Sequence, residues 1–459
     1  MITVPVEVSA VRQRLVRGFG ATALGPLVTV LVQLSTVPLL LHAWGAVKYG
    51  DWVLLSAIPS YLALSDLGFG NASGSDMTFR VAAGDQQGAL RTFQSSWALL
   101  TAISIAAFLG ALSIAWWIPW REWFRLSSLS SHDAAFVVLI LGAYALLIQQ
   151  NGIFESGFRC TGHFATGAVW GTAIRFLETL IATVIAVEGG SFRSVAIGYF
   201  SSRAVGTYGY ALLLSRKTRW IRVGICHARW AAVCELASPA FGFVAFPLAQ
   251  ALSSQGFVII VGALQGPLAV TAFSTIRTLT RLNSLVTMAV GRALWPELSF
   301  AFGAGKVLLA RKLHRRACQA SLGLSALSAL ALGLAGPLVY RMWVHGEVRF
   351  NPACFHVLLF VSIASSFWYT SSVVPMSTNS HQRLAVVFFA ATSLSLAIGW
   401  VLTPLFGITG AAVALLGIDA AMSCLVLDIA LTQVKDTVAG FTREIFTTSP
   451  LLHLSKALE

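Results

Sequence analysis

Charge is what this sequence has least of. Only 11% of its 459 residues are Asp, Glu, Lys or Arg, whereas 56% are hydrophobic and the mean hydropathy is +0.76. Soluble domains carry about 25% charged and 45–50% apolar residues, so the composition excludes that class and leaves a membrane protein. Acidic residues are the scarcer sign, 18 against 31 basic, and none lies between Glu7 and Asp51. The six cysteines (Cys160, Cys226, Cys234, Cys318, Cys354 and Cys424) stand singly, without a Cys-x-x-Cys pair or histidines at metal-ligand spacing, and read as isolated thiols. No phosphate-binding glycine loop occurs. The nearest approach, Gly303-Ala304-Gly305-Lys306-Val307, lacks the first glycine and the hydroxyl that would hold magnesium, so ATP bound to this chain is not the energy source.

The apolar runs, punctuated by charge, Pro and Gly, predict an all-α polytopic protein of about twelve spans, since a bilayer core of about 30 Å needs roughly 20 apolar residues per helix. The expected spans are 18–42, 51–70, 92–118, 133–156, 164–187, 193–215, 237–261, 267–292, 317–343, 352–376, 384–404 and 408–433. Glu7, Arg12, Arg14 and Arg17 precede an apolar stretch without a small-residue cleavage pattern, which reads as a first span rather than a removable signal. With the N-terminus inside, 21 Lys and Arg fall on the internal side and six on the other, placing both termini in the cytoplasm. The net charge of +13 is thereby explained by orientation, and no nucleic acid is expected as a partner. The longest external loop, Pro119 to His132, offers only Glu122, His132 and arginines. That is too little for a membrane glycosyltransferase or polymerase; no enzyme, cofactor or metal is expected.

The basic segment around Arg216 to Glu235 divides the spans into two sets of six. The expected organisation is an N-terminal lobe 1–215, a basic cytoplasmic linker 216–236, a C-terminal lobe 237–433 and a cytoplasmic tail 434–459. The first pair of spans in each half can be overlaid at a shift of 217, matching Gln33 with Gln250 and Gly45 with Gly262 and setting Asp66 opposite Asn283. Such repeats are common in transporters.

Four arginines, Arg175, Arg203, Arg277 and Arg281, fall about ten residues into their spans. Insertion scales charge roughly 2.5–3.5 kcal/mol for each, so they need a reason to be there. Arg277 and Arg281 are four apart and share one helical face; paired guanidinium forks suit phosphate. The alternative is neutralisation by carboxylates, Glu178 three residues after Arg175 and Asp419 at similar depth in the last span. Thr22, Thr29, Gln33 and Thr36 form a polar stripe on span one, and Gln250, Ser253, Ser254 and Gln255 lie at matching depth in span seven. Cavity lining and interhelical hydrogen bonding both fit them. Asp419, Glu178 and Asp66 are the candidate proton or sodium sites.

Pro38-Leu39-Leu40-Leu41, then Gly45 with Tyr49-Gly50-Asp51-Trp52, then Ser65-Asp66-Leu67-Gly68-Phe69-Gly70 resembles the opening of bacterial polysaccharide and O-antigen flippases. These belong to the multidrug, oligosaccharidyl-lipid and polysaccharide exporter superfamily, and Gly407-Ile408-Thr409-Gly410-Ala411-Ala412 resembles its usual ending. The resemblance implies two pseudo-symmetric six-helix lobes around a central cavity open alternately to each face of the bacterial inner membrane. It further implies a polyprenyl-diphosphate-linked oligosaccharide as cargo, flipped for surface polysaccharide biosynthesis while its tail stays among membrane lipids. Arg277, Arg281, Arg203 and Arg175 would then line the path, the first three binding the diphosphate, and Gln33 and Gln250 would meet sugar hydroxyls. Membrane potential, an ion gradient or removal of product by a downstream polysaccharide polymerase would each supply direction. Cation-coupled multidrug antiporters of the superfamily commonly place a carboxylate in span one; its absence here speaks against that alternative.

Overall fold

The computed structural model describes residues 8–66, 68–303, 305–378 and 382–447. Among them all regular structure is helical, in the order α1 (Val8–Ala57), α2 (Phe69–Ala82), α3 (Gln86–Ala115), the short α4 (Trp120–Trp123), α5 (Ser131–Cys160), α6 (Phe164–Val187), α7 (Phe192–Lys217), α8 (Trp230–Ala251), α9 (Phe257–Gln265), α10 (Pro267–Gly303), α11 (Val307–Trp343), α12 (Pro352–Ser377), α13 (Gln382–Phe406), α14 (Ile408–Gln433) and α15 (Val438–Thr447). Eight of these helical segments are apolar and long enough to cross a membrane by length and composition alone. These include the span that α8 forms with α9; with α1 counted on both sides of its kink, and α7 and α10 added, about twelve crossings result. The chain is a multi-pass membrane protein, and it forms two compact units, Met1–Val244 and Ala245–Glu459.

Three connections are single glycines. Gly45 kinks α1 at φ 72, ψ 167; Gly266 separates α9 from α10 at φ 83, ψ −179; Gly407 separates α13 from α14 at φ 60, ψ −145. This region is essentially closed to residues with a Cβ. It reverses the chain without a loop, so few backbone groups are left to solvate at the turn. Gly45 and Gly266 are 221 residues apart, not 217, so the sequence overlay that paired Gly45 with Gly262 is displaced by about one helical turn.

The second span departs from the expected continuous helix over 51–70. A 3-10 segment, Pro59–Asp66, follows α1, and Gly68 at φ 76 precedes α2. Proline and glycines in sequence break the α ladder there. The buried Gln149 on α5 ties this segment to the bundle by donating from Nε2 to the Leu62 carbonyl at 2.6 Å. In the second unit, Asn283 donates to Ser325 and Ser362, both at 2.8 Å, and Thr287 to Ser366 at 2.6 Å, joining α10, α11 and α12. Such small hydroxyl contacts hold helices together where the bilayer offers no hydrophobic drive for association.

The basic segment 216–236 and the tail are both docked. In 216–236, the Arg222 carbonyl accepts from Gln94 Nε2 at 2.9 Å, His227 N donates to Gln94 Oε1 at 2.7 Å and Arg229 N to Ser95 Oγ at 2.9 Å, all against α3. In the tail, α15 buries Phe441 and Ile445 with Cys318 and Leu431. Arg315 holds Asp436 at 2.5 Å and also pairs with Glu444. Burial alone would raise the Asp436 carboxyl; the hydrogen bonds from Arg315 outweigh it and keep the group below its ordinary range. The apolar spacing of Phe441 and Ile445, four apart, is the signal for this helix.

Replacing Gly407 by alanine tests the single-glycine turn. A Cβ there meets nothing within 4 Å, so the cost is conformational, about 1–3 kcal/mol, and thermal unfolding in detergent should fall accordingly. An unchanged midpoint would contradict the assignment.

Candidate cargo-binding site

The site is built from the hairpin that Gly266 closes. Within the span formed by α8 and α9, residues Leu252–Gly256 make one π-helical turn. The local sequence, Leu252-Ser253-Ser254-Gln255-Gly256, is rich in weak helix formers. A π turn widens the helix and misaligns carbonyls that an α ladder would satisfy. In hydrocarbon those carbonyls need another donor.

Arg277 is that donor. Ser254 lies 12 residues before Gly266 and Arg277 lies 11 after it, so both sit about 16–18 Å from the turn at 1.5 Å per residue. Its Nη1 donates to the Ser254 carbonyl and its Nη2 to the Ser253 carbonyl, each at 2.8 Å. The guanidinium also lies 5.7 Å from the centre of the Phe273 ring. One turn further along α10, Arg281 is exposed and makes no hydrogen bond or ion pair among the described residues. Gln250, 16 residues before Gly266, is exposed at the depth of Arg281, 15 residues after it.

Asp419 on α14 does not form an ion pair with either arginine. It is 5% exposed, and its Oδ1 accepts from Ser365 Oγ at 2.6 Å and Trp368 Nε1 at 2.8 Å. It acts on Arg277 through space only. Among the described residues the span-eight arginines are therefore not cancelled by a direct carboxylate partner.

The first unit treats its arginines differently. Arg203 on α7 is 3% exposed and Glu178 on α6 is 2% exposed, and they pair at 2.5 Å. Tyr144 OH donates to the same Glu178 Oε1 at 2.8 Å, and the Arg203 guanidinium lies 5.3 Å from the Tyr144 ring centre. Glu178 is thus neutralised by Arg203 from the next helix, rather than by Arg175 three residues earlier. Arg175 is exposed and acts on Glu178 through space. Arg203, expected as a cargo ligand, is in this structure committed to a carboxylate.

Gln33 on α1 is exposed. It does not line the cavity of about 460 Å³ between α1 and α6, whose walls include Leu31, Leu39, Phe176 and Leu180. The hydroxyls of Ser35, Thr172, Thr179 and Thr183 in that wall donate to carbonyls of their own helices at 2.7–2.9 Å. The cavity is apolar in consequence. The side chains of Asp66, Thr22 and Thr29 lie outside the described residues. Among the described residues, no three His, Cys, Asp or Glu groups gather to hold a metal.

Sequence reasoning missed the π turn and the buried Asp51, which accepts from Ser128 N at 3.0 Å and from its hydroxyl. Ser253, Ser254 and Gly256 in an otherwise apolar span were the available signal for the first. Nothing in the sequence joined Asp51 to a residue 77 positions away.

No family model matches the chain, and no curated protein matches it by sequence. Solved structures match by fold. An inward-facing conformation of a multidrug resistance MATE family transporter of the MOP superfamily gives a TM-score of 0.71 at 13% identity, covering 88% of this chain and 98% of that one. An outward-facing conformation of a transporter so described gives 0.66 at 12%, covering 92% and 95%. A MOP superfamily transporter from Pyrococcus furiosus, described as having a binding pocket of reverse polarity that suggests a different function, gives 0.57 at 12%, covering 91% and 96%. This chain has the fold of these transporters.

Removing either partner of the Glu178–Arg203 pair leaves an uncompensated buried charge, a loss of about 3–5 kcal/mol. Glu178→Leu and Arg203→Met should each lower the unfolding midpoint strongly, and the double variant should recover most of it. If the double variant loses the sum of the two single losses, the pair is not the neutralising contact.

Proposed function

We propose that this protein is an inner-membrane transporter that moves a polyprenyl-diphosphate-linked oligosaccharide from the cytoplasmic to the periplasmic face by alternating access, with both termini cytoplasmic. The observation that carries the reading is Arg281, a permanently charged group at mid-depth of a span, exposed and without a partner among the described residues. A cation placed there at roughly 2.5–3.5 kcal/mol is a functional site by default, and a planar fork selects phosphate over other anions. The fold supports a carrier, and the resemblance to O-antigen flippases supplies the class of cargo.

Arg281 takes the diphosphate first, with Gln250 at the same depth offering an amide to the saccharide. Weakly hydrated guanidinium groups replace phosphate hydration yet allow release when access alternates. Arg203, held by Glu178, joins only in a conformation that separates that pair, so it is a secondary ligand at most.

A second reading, extrusion of organic cations, is favoured by the multidrug transporters that share the fold and by the apolar cavity between α1 and α6. The positive charge of Arg281 supports the first reading over the second. Another transporter of the same fold is described as having reverse pocket polarity, so polarity is a variable within this architecture.

Transbilayer movement of a short-chain polyprenyl-diphosphate sugar in liposomes separates the two. Wild-type protein should translocate it; Arg281→Ala should lose about tenfold or more, one guanidinium–phosphate contact being worth about 1.5–3 kcal/mol. Arg281→Lys should retain part of the rate. Expulsion of organic cations against a proton gradient, with no movement of the lipid-linked sugar, would replace the flippase reading by the antiporter.

A further inference from the structure

The anion reading of Arg281 leaves unexplained why its neighbour Arg277, one turn away on the same face, is spent on backbone carbonyls. Resting on that reading, we infer that Arg277 is an exchangeable ligand. It holds the carbonyls of Ser253 and Ser254 while the site is empty, and transfers to the diphosphate once Arg281 has captured it, so that anion binding and the shape of the seventh span are one equilibrium.

Both Nη atoms of Arg277 are engaged, at 2.8 Å each, by two successive carbonyl oxygens. Two oxygens of one phosphate present a similar pair of acceptors to the same fork, so the exchange replaces like with like. The contacts differ in strength: a carbonyl is a neutral acceptor, whereas a bond with both partners charged is roughly twice as strong as a neutral one. Arg277 and Arg281 also repel each other through space, and an anion shared between them removes the repulsion. Asp419 remains bonded to Ser365 and Trp368, so it neither follows Arg277 nor substitutes for it.

The carbonyls that Arg277 releases cannot stay unpaired in hydrocarbon. Their available donors are the amides of their own helix, which pair with them if the π turn of Leu252–Gly256 reverts to α geometry. That change shifts the ladder by one residue and turns the segment carrying Gln250 by about 100° relative to α9. Capture of the phosphate would thus re-aim the amide expected to meet the saccharide. Arg277 is then the residue that makes the span respond to an occupied site, and Arg281 the residue that fills it.

Hydrogen–deuterium exchange of residues 250–258, in full-length protein in nanodiscs, reads this directly with inorganic diphosphate as the probe and chloride at matched ionic strength as the control. Saturating diphosphate should change wild-type exchange in this segment by about tenfold or more. Arg281→Ala should require about tenfold more diphosphate for the same change. Arg277→Lys, whose compact ammonium lacks the planar fork that matches two acceptors at once, should show altered exchange without ligand and little further change with it. The inference is overturned if calorimetry shows diphosphate bound to wild type while exchange at 250–258 is unchanged, if diphosphate does not bind, or if Arg277→Lys responds as wild type does. The wild-type comparison suffices should the variant not fold. A diphosphate-dependent change in a protein that moves no lipid-linked sugar supports the exchange and removes the flippase reading; translocation with no such change does the reverse.

Discussion

A backbone that crosses hydrocarbon has no water to bond with, so each departure from the α ladder must be matched by a donor from elsewhere in the protein. This chain departs twice where it matters. In the first unit the chain after α1 runs as a 3-10 segment, and Gln149 donates to its Leu62 carbonyl. In the second the π turn before α9 exposes the carbonyls of Ser253 and Ser254, and Arg277 meets both. A glutamine is a neutral, permanent repair. An arginine is a costly one in a membrane, and its use beside Arg281, which has no partner among the described residues, ties the backbone irregularity to charge.

The same scarcity of acids that marks the composition shapes the electrostatics of both units. Glu178 is used to bury Arg203, and Asp419 is engaged by a hydroxyl and an indole. No carboxylate among the described residues pairs with Arg175 or Arg281. Replacing a buried ion pair by apolar residues is often neutral or stabilising, so Glu178 with Arg203 stands as a specificity or conformational element rather than a source of stability. On the proposed reading, the positive charge that Arg175 and Arg281 leave unmatched among the described residues is what favours an anionic cargo over a cationic one.

The spans were legible because length and hydropathy alone define them: α6 is Phe164–Val187 and α14 is Ile408–Gln433, and the expected limits were 164–187 and 408–433. The turn at Gly266 is marked by the Pro267 that follows it, and the expected start of the eighth span at 267 coincides with that of α10; only the internal overlay set the matching glycine one turn away, at Gly262. The partner of Glu178 was misread because proximity along a helix favoured Arg175, whereas helix faces set it against α7. The π turn was invisible to period-based reading, which assumes a regular ladder. The docking of the basic linker and the tail rests on a few apolar residues set in polar sequence, the buried Ile221, Phe441 and Ile445.

The central claim is that the second unit holds its cargo by phosphate. An experimental structure with a short-chain polyprenyl-diphosphate saccharide bound tests it most directly. The account predicts diphosphate density within hydrogen-bonding distance of Arg281, with Arg277 turned toward it. Density for the diphosphate elsewhere, with Arg281 still unpartnered, would contradict it.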